Sequence, residues 1–256
     1  MLSEILSVKV MVTSIKIRTP ESLGCTLIST ILYQSLREKF KETKIIVYTL
    51  FPDLLLGLNE IDEVINLYEV DESEIDIDLK GYLKDKTPQK NKPLRSLSEH
   101  IFEIAEGKLK EKLNRNFPIK INLSSEEIEK AKEVVNELSD EKRLVWLQPK
   151  TSTIDKDLNK GFWEELKRFG ASEYSFVDLS SDKYERRLSI AITQQCDAGI
   201  TLDTFLLHGS HAVNAKNVIA LLVTSHKEVV CYPEQVVLKE EINPEMVLGN
   251  LKKLLD

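Results

Sequence analysis

Short apolar runs alternate with segments of helical periodicity along almost the whole chain, and this alternation constrains the fold more than any other feature. Runs such as KIIVYTL (44–50), RLVWLQP (143–149) and AGITL (198–202) have the length of buried strands. Between them, apolar residues recur every three or four positions, as on the buried face of a helix. Strands and helices that alternate in this way form parallel sheets with crossover helices. The sequence therefore predicts an α/β fold.

The predicted elements fall into two sets with a border near residue 140. The predicted strands are 8–15, 44–50, 61–68 and 75–79 in the first set, and 143–149, 174–179, 198–202 and 217–223 in the second. The predicted helices are 26–40, 96–114, one opened by the capping box of Ser124 and Glu127, 162–169, 183–194, one opened by Asp203, and one behind Asn243 and Pro244. Residues 84–93 are polar and are predicted to form a loop.

We expect residues 1–140 and 141–256 to form two Rossmann-like domains that face each other across a cleft. The last helix is expected to pack back on the first domain. Ligands of such sheets bind beyond the carboxyl ends of the strands, so the cleft is the expected site.

Composition excludes several classes of protein. With 9 glycines and no GxGxxG loop, a dinucleotide-binding fold of that type is disfavoured. The net charge of −7 disfavours general nucleic-acid binding. Three widely spaced cysteines indicate a reducing compartment, and no apolar run is long enough to span a bilayer. The first residues lack the order of a secretory signal, so we expect a cytoplasmic protein.

The segment TLDTFLLHGSHAV (201–213) carries the strongest candidate site, because a buried strand runs directly into a helix there. The backbone N–H groups of Thr204, Phe205 and Leu206 would be unpaired at that helix N-terminus, where they suit a diphosphate. On the alternative interpretation, Asp203 is only a helix N-cap. His208 and His211 share one helical face, but no third metal ligand lies nearby in sequence, so no metal is expected.

This segment resembles the nucleotide-sugar signature of the heptosyltransferase-like glycosyltransferases, family 9, which have the GT-B architecture. Four further blocks resemble that family in the same order: 22–49, 54–67, 75–81 and 145–166. The resemblance implies that Asp203, Thr204 and His208 hold the diphosphate and ribose of an ADP-linked sugar. It also implies that the loop at residues 22–26 faces the acceptor.

The chain departs from the family at three points. Cys25 stands where the family has the Asp proposed as catalytic base, and the neighbouring Glu21 is the candidate replacement. Phe205 stands where the family has a Gly, so close backbone approach of a phosphate is in doubt. The family's HPGAS loop has become QPKTS, and Lys150, Thr151 and Lys156 are the candidate diphosphate contacts there.

The resemblance implies an inverting, metal-independent transferase without a separate cofactor. It would move a heptose-like sugar from an ADP-linked donor to a glycan or lipid-linked acceptor, as in lipopolysaccharide biosynthesis. Its partners would be the nucleotide sugar and the acceptor, with a peripheral contact to the inner face of the membrane and no nucleic acid. The alternative is a catalytically degenerate GT-B-fold protein that binds nucleotides or acts as an interaction module. A nucleotide-sugar epimerase of the same architecture is a third interpretation.

Overall fold

The computed structural model describes residues 13–69, 71–80, 96–151, 156–180 and 183–256, and it contains two parallel sheets. The first sheet has the order β3-β2-β1-β4, with β1 (Ser14–Arg18), β2 (Lys44–Thr49), β3 (Glu63–Asn66) and β4 (Ile77–Asp78). The second has the order β6-β5-β7-β8-β9, with β5 (Arg143–Gln148), β6 (Tyr174–Asp178), β7 (Ala198–Leu202), β8 (Val218–Leu222) and β9 (Val236–Lys239). The predicted α/β fold with two Rossmann-like halves is confirmed.

Nine α-helices are found in the described part of the chain. They are α1 (Leu23–Ile28), α2 (Thr30–Lys39), α3 (Leu97–Leu109), α4 (Ser125–Leu138), α5 (Lys160–Gly170), α6 (Arg186–Gln195), α7 (Phe205–Ala212), α8 (Lys227–Val230) and α9 (Pro244–Leu255). Short 3₁₀ turns lie at Pro52–Leu55, Leu67–Glu69 and Glu72–Glu74. Within the described residues, none of the helices has the length and apolar character to cross a membrane.

The capping signals in the sequence mark two helix starts correctly. The Ser124 side chain accepts the backbone N–H of Glu127, and the Glu127 carboxylate accepts the backbone N–H of Ser124, which completes the predicted capping box. The Asn243 side chain accepts the backbone N–H of Met246 ahead of α9. These bonds satisfy N–H groups that a helix start otherwise leaves without partners.

The first half differs from the prediction in its opening elements. The first described strand is Ser14–Arg18, later than the predicted 8–15, and residues before 13 lie outside the described residues, as does the predicted loop at 84–93. The single helix predicted over 26–40 is divided at Ser29. The Ser29 hydroxyl donates to the carbonyls of Cys25 and Thr26, so it competes with the helical backbone there. The edge strand β9 was not predicted.

The centre of the second sheet depends on one close contact between neighbouring strands. Trp146 on β5 is fully buried, and its indole lies against Gly199 on β7. A Cβ atom at residue 199 would lie 1.9 Å from Trp146 Cε2, so only glycine fits. This contact fixes β5 against β7, the two strands whose ends reach the candidate site.

The two halves share one large core and are joined by packed helices. α4 packs against α6, and α1 packs against α7. By packing, α4 therefore belongs with the second half, although it precedes the border that the sequence predicts at residue 140. The last helix, α9, packs on α5 and β8 of its own half instead of returning to the first, because Val247 and Leu251 are buried in the core of the second sheet.

A buried arginine ties the same junction together. Arg187 on α6 is 8% exposed, and its guanidinium bonds to both carboxylate oxygens of Glu127 on α4, at 2.5 and 2.8 Å. It also donates to the backbone carbonyls of Asp53 and Asn122 in the first half. A planar guanidinium can donate several hydrogen bonds at once, so Arg187 acts as a clamp between the halves.

Candidate active site

The loops that follow three strands converge on one cleft between the halves. Glu21 lies beyond the carboxyl end of β1, Lys150 beyond β5 and Asp203 beyond β7. In both sheets the strand order reverses next to these strands, at β1–β4 and β5–β7, and ligands of parallel sheets bind at such switch points. The cleft encloses about 680 Å³. All nine residues predicted for the site line it: Glu21, Cys25, Lys150, Thr151, Lys156, Asp203, Thr204, Phe205 and His208.

Asp203 does not cap the helix that follows it, contrary to that part of the prediction. Thr204 is the N-cap residue of α7, and neither residue's side chain caps the helix. The Asp203 carboxylate instead accepts from Lys156 Nζ at 2.5 Å and from the Ser225 hydroxyl. Burial opposes ionisation of Asp203, but Lys156 and Ser225 outweigh it and hold the pKa of the carboxyl below its usual value. Asp203 is therefore a buried carboxylate in its ionised form.

The same contact changes the interpretation of Lys156. The sequence predicts that Lys156 meets a diphosphate, whereas its ammonium forms an ion pair with Asp203. Lys150 is exposed at the rim of the cleft and has no carboxylate partner among the described residues. Lys150 is thus the candidate cation whose charge remains available, while Thr151 is held by a bond from its backbone N–H to Asp157 Oδ1 at 2.8 Å.

The N-terminus of α7 opens into the cleft. The Leu207 N–H bonds back to the Thr204 carbonyl at 3.2 Å. The N–H groups of Phe205 and Leu206 have no acceptor within the described part of the chain. Two free N–H groups at the positive end of a helix dipole favour an anionic group. Phe205 lines the cleft at this point, so its ring shares the space in front of these groups.

His208 lies where the two halves meet. It is 3% exposed, and its Nδ1 lies 2.6 Å from Tyr232 Oη. The opposite edge of the ring faces α1, where a Cβ atom at Gly24 would lie 2.7 Å from His208 Cδ2 and 3.3 Å from Nε2. Gly24 is therefore needed for this approach of α1 to α7. Tyr232 was not predicted as a site residue, because nothing in the spacing of the sequence connects it to His208.

The first-half wall of the cleft carries Glu21 and Cys25. The Glu21 side chain is 43% exposed, and its Oε1 lies 2.9 Å from Arg18 Nη2 and 3.5 Å from Lys80 Nζ. Cys25 is the third residue of α1, is buried, and contributes to the core. Arg18 is a buried cation at the end of β1 that the sequence analysis missed, since an arginine within an apolar strand gives no motif. Glu21 is thus the carboxylate that this wall presents to the cleft.

Metal ligation has no support among the described residues, where no group of three or more His, Cys, Asp or Glu side chains could hold an ion. His208 is bonded to Tyr232, and His211 Nδ1 is bonded to Glu234. The two histidines of α7 therefore have different partners.

Comparison with known proteins gives matches only at the level of structure. Neither a protein-family profile nor a curated protein sequence matches the chain. A family 9 glycosyl transferase from Veillonella parvula superposes with a TM-score of 0.74 at 15% identity, over 95% of this chain and 97% of that one. The E. coli ADP-heptose lipopolysaccharide heptosyltransferase II gives 0.70 at 16%, over 94% and 98%. E. coli heptosyltransferase WaaC with ADP gives 0.62 at 11%, over 94% and 99%.

The chain has the GT-B fold of these glycosyltransferases. These structural superpositions confirm the resemblance to family 9 that five sequence blocks indicate. Because nearly the full length of both chains superposes, the two halves of this GT-B fold correspond to the two halves of the neighbours. The cleft described above is therefore the cleft between the two Rossmann-like halves of a GT-B protein.

Proposed function

We propose that this protein is a glycosyltransferase that transfers a sugar from a nucleoside-diphosphate donor to a hydroxyl group of an acceptor. One observation carries the proposal. In a GT-B fold, the loops after β1, β5 and β7 bring a carboxylate, a free lysine and a helix N-terminus to one cleft. The first is suited to proton transfer and the other two to a diphosphate.

The second half would bind the donor. The free N–H groups of α7 and the Lys150 ammonium favour the diphosphate, and both stabilise the charge that develops on it as it leaves. Asp203 is ionised and therefore repels phosphate, but a carboxylate accepts hydrogen bonds from hydroxyl groups. We assign Asp203 to a hydroxyl of the ribose or of the transferred sugar, and Thr204 to a phosphate oxygen.

The first half would supply the acceptor and the base. The acceptor oxygen attacks the anomeric carbon, the bond between that carbon and the diphosphate oxygen breaks, and the nucleoside diphosphate leaves with the bonding electron pair. The acceptor proton passes to Glu21. Attack from the face opposite the leaving group inverts the anomeric centre. Neither a metal ion nor a cofactor enters this scheme, in which α7 and Lys150 balance the charge of the leaving group.

We take the donor to be an ADP-linked, heptose-like sugar and the acceptor to be a glycan or a lipid-linked glycan. The names of two structural neighbours support the donor, because one is an ADP-heptose heptosyltransferase and another holds ADP. With a lipid-linked acceptor, the protein would meet the membrane surface peripherally.

Nucleotide titration tests the donor site directly. We expect one of ADP, UDP, GDP and CDP to bind saturably in calorimetry, and we expect ADP to be that nucleotide. Lys150→Ala should weaken binding about ten-fold, since a hydrogen bond to a charged group is lost. Lys160→Ala is the matched control, because Lys160 lies outside the cleft and pairs with Glu164. Equal binding by both variants would remove Lys150 from the site, and no binding of any nucleotide to the unchanged protein would refute the donor assignment.

Glu21→Gln tests the base. With ADP-heptose and an acceptor, we expect turnover to fall about 10²–10⁴-fold, which is the usual contribution of general base catalysis. Glu72→Gln is the matched control, because Glu72 also contacts Arg18 and Lys80 but does not line the cleft. If both variants keep full turnover, Glu21 is not the base.

A binding module without catalysis is the second candidate, and the position of Cys25 favours it. The family's proposed base would stand here, yet the thiol is buried in the core at the start of α1. Saturable nucleotide binding without release of ADP from ADP-heptose, with or without acceptor, would support this alternative over the transferase.

A further inference from the structure

Two neighbouring strands bring hydrogen-bond donors to Asp203 from opposite sides. Asp203 follows β7, which lies between β5 and β8 in the second sheet. Lys156 lies in the segment between β5 and α5, and Ser225 lies in the loop between β8 and α8. The Lys156 ammonium and the Ser225 hydroxyl both bond to the Asp203 carboxylate. The carboxylate is therefore held from both flanks of the strand that it follows.

The two donors share one oxygen of this carboxylate. Lys156 Nζ and Ser225 Oγ both bond to Oδ2. Oδ1 receives no hydrogen bond from the described residues, and it is not among their fully buried polar atoms without a partner. Asp203 lines the cleft and its side chain is 10% exposed. Oδ1 is therefore the oxygen that a molecule in the cleft can reach.

The serine supplies a direction that the lysine alone does not give. An ammonium is a point charge on a flexible stem, so it attracts a carboxylate without fixing its rotation. A hydroxyl on a short side chain forms a directional hydrogen bond. Ser225 is partly buried, and its hydroxyl bonds to Asp203. Together the two bonds fix the carboxylate before any ligand arrives, which spares its reorganisation on binding.

The ionisation of Asp203 determines what Oδ1 can bind. Burial raises the pKa of Asp203, but the charge of Lys156 and the hydrogen bonds from Lys156 and Ser225 hold it below its usual value. An ionised carboxylate accepts hydrogen bonds and donates none. Oδ1 therefore suits a hydroxyl group and repels a phosphate oxygen. A nucleoside-diphosphate sugar carries such hydroxyl groups on its ribose and on its transferred sugar.

We propose that Ser225 is a positioning residue that, with Lys156, holds Oδ2 of Asp203 so that Oδ1 faces the cleft as the acceptor for a sugar hydroxyl of the ligand. This deepens the proposed function and rests on it for one point, that the ligand is a nucleoside-diphosphate sugar. The hold on Asp203 is a property of the protein without ligand. The two parts are therefore separable by experiment.

Carbon NMR of protein labelled at its aspartate carboxyl groups tests the hold on Asp203. The signal that disappears in Asp203→Asn identifies Asp203. Ser225→Ala removes a hydrogen bond to the ionised form, so the pKa of Asp203 should rise, whereas Ser225→Thr keeps the hydroxyl and the low pKa. Ser175→Ala is the matched control, because the Ser175 hydroxyl also bonds to a carboxylate, that of Asp140, outside the cleft. That variant should leave the pKa of Asp203 unchanged.

Calorimetry with ADP, its 2′-deoxy and 3′-deoxy forms, and ADP-heptose tests the ligand hydroxyl. Ser225→Ala should weaken binding about ten-fold, the effect of a lost hydrogen bond to a charged group, while Ser225→Thr and Ser175→Ala leave it unchanged. If the hydroxyl belongs to the ribose, ADP binding weakens, and the deoxy form that lacks this hydroxyl binds equally to the unchanged protein and to Ser225→Ala. If it belongs to the transferred sugar, ADP binding is unchanged and ADP-heptose binding weakens.

Two results would overturn the proposal. One is a pKa of Asp203 that does not respond to Ser225→Ala, and the other is unchanged binding of both ADP and ADP-heptose by that variant. The expected pKa response together with no binding of any of these nucleotides to the unchanged protein would instead uphold the hold on Asp203 and refute the donor assignment.

Discussion

The two walls of the cleft are built differently. On the second-half wall, the side chain of Asp203 is 10% exposed and already holds two partners, and His208 is buried against Tyr232. On the first-half wall, the side chain of Glu21 is 43% exposed and shares Arg18 with other carboxylates. Groups fixed before a ligand arrives do not have to reorganise during a reaction. The comparison teaches that the wall proposed to bind the donor is preorganised, whereas the wall proposed to meet the acceptor presents Glu21, the proposed base, at a solvated rim.

Loss of the contact that Arg187 makes between the halves should have the largest effect on stability. Arg187→Ala removes the clamp and leaves Glu127 without its buried partner, so we expect the free energy of unfolding to fall by about 3–5 kcal/mol. Arg186→Ala is the matched control, because Arg186 is the adjacent residue but is half exposed and forms a single 3.5 Å pair with Asp53. That variant should lose only about 0–1 kcal/mol. Urea unfolding measures both, and equal losses would mean that Arg187 is not the clamp.

Acid should loosen the same junction without any mutation. The hydrogen bonds from Arg187 hold the pKa of Glu127 at about 2, below the usual 4.5. A carboxyl whose pKa is lower in the folded state stabilises above the unfolded value, and this contribution disappears as the pH falls from about 4.5 to about 2. We expect a loss of about 3 kcal/mol from this group.

The measurement is urea unfolding from neutral to acid pH in the unchanged protein and in Glu127→Gln. Glu106 also has its pKa lowered to about 2, against burial, by bonds from Arg115, Leu113 and Lys112, so part of the acid loss belongs to it. The contribution of Glu127 is therefore the difference between the two curves. Parallel curves over this range would contradict the assignment.

The smallest expected effect concerns the contact between the walls at Gly24. In Gly24→Ala the new methyl group would meet His208 at 2.7 Å, which should cost about 1–3 kcal/mol of overpacking and turn the His208 ring. Gly107→Ala adds the same methyl group to α3 where nothing lies within 4 Å, and it should gain about 0.5–1 kcal/mol from helix propensity. Thermal unfolding distinguishes the two variants, and nitrogen NMR of the histidine rings, with the His208 signal identified as the one lost in His208→Gln, probes the contact locally. A stable Gly24→Ala with an unchanged His208 signal would show that α1 moves to make room for the methyl group.

How much of this was predictable from sequence depends on where each interaction partner lies in the chain. The second half was predicted well apart from β9, because its central strands are continuous apolar runs such as AGITL. The first half was less clear, since an apolar run that continues through residues 8–15 does not mark where β1 lies, and the hydroxyl that interrupts the helix at Ser29 gives no periodic signal. The site positions followed from the strand that ends ahead of Asp203 and from the resemblance to family 9, and both depend on short local stretches of the sequence.

The partners of the site residues were not predictable in the same way. Lys156 bonds to Asp203, Tyr232 to His208 and Arg18 to Glu21 through tertiary contacts or within irregular segments. None of these pairs forms a spacing motif. The role of Asp203 as a helix cap was accordingly wrong, because a nearby ammonium and a hydroxyl compete for its oxygens better than the backbone does.

The position of α4 has a consequence for anyone who wishes to divide this protein into fragments. A fragment that begins at residue 141 would lack α4, so the side of α6 that α4 covers would face water. A cut within residues 117–123, which form neither helix nor strand, would keep α4 with α6. Expression of the second half alone, or its exchange between relatives to form chimeras, should therefore start ahead of Ser124, so that the transferred unit keeps the helix that covers α6.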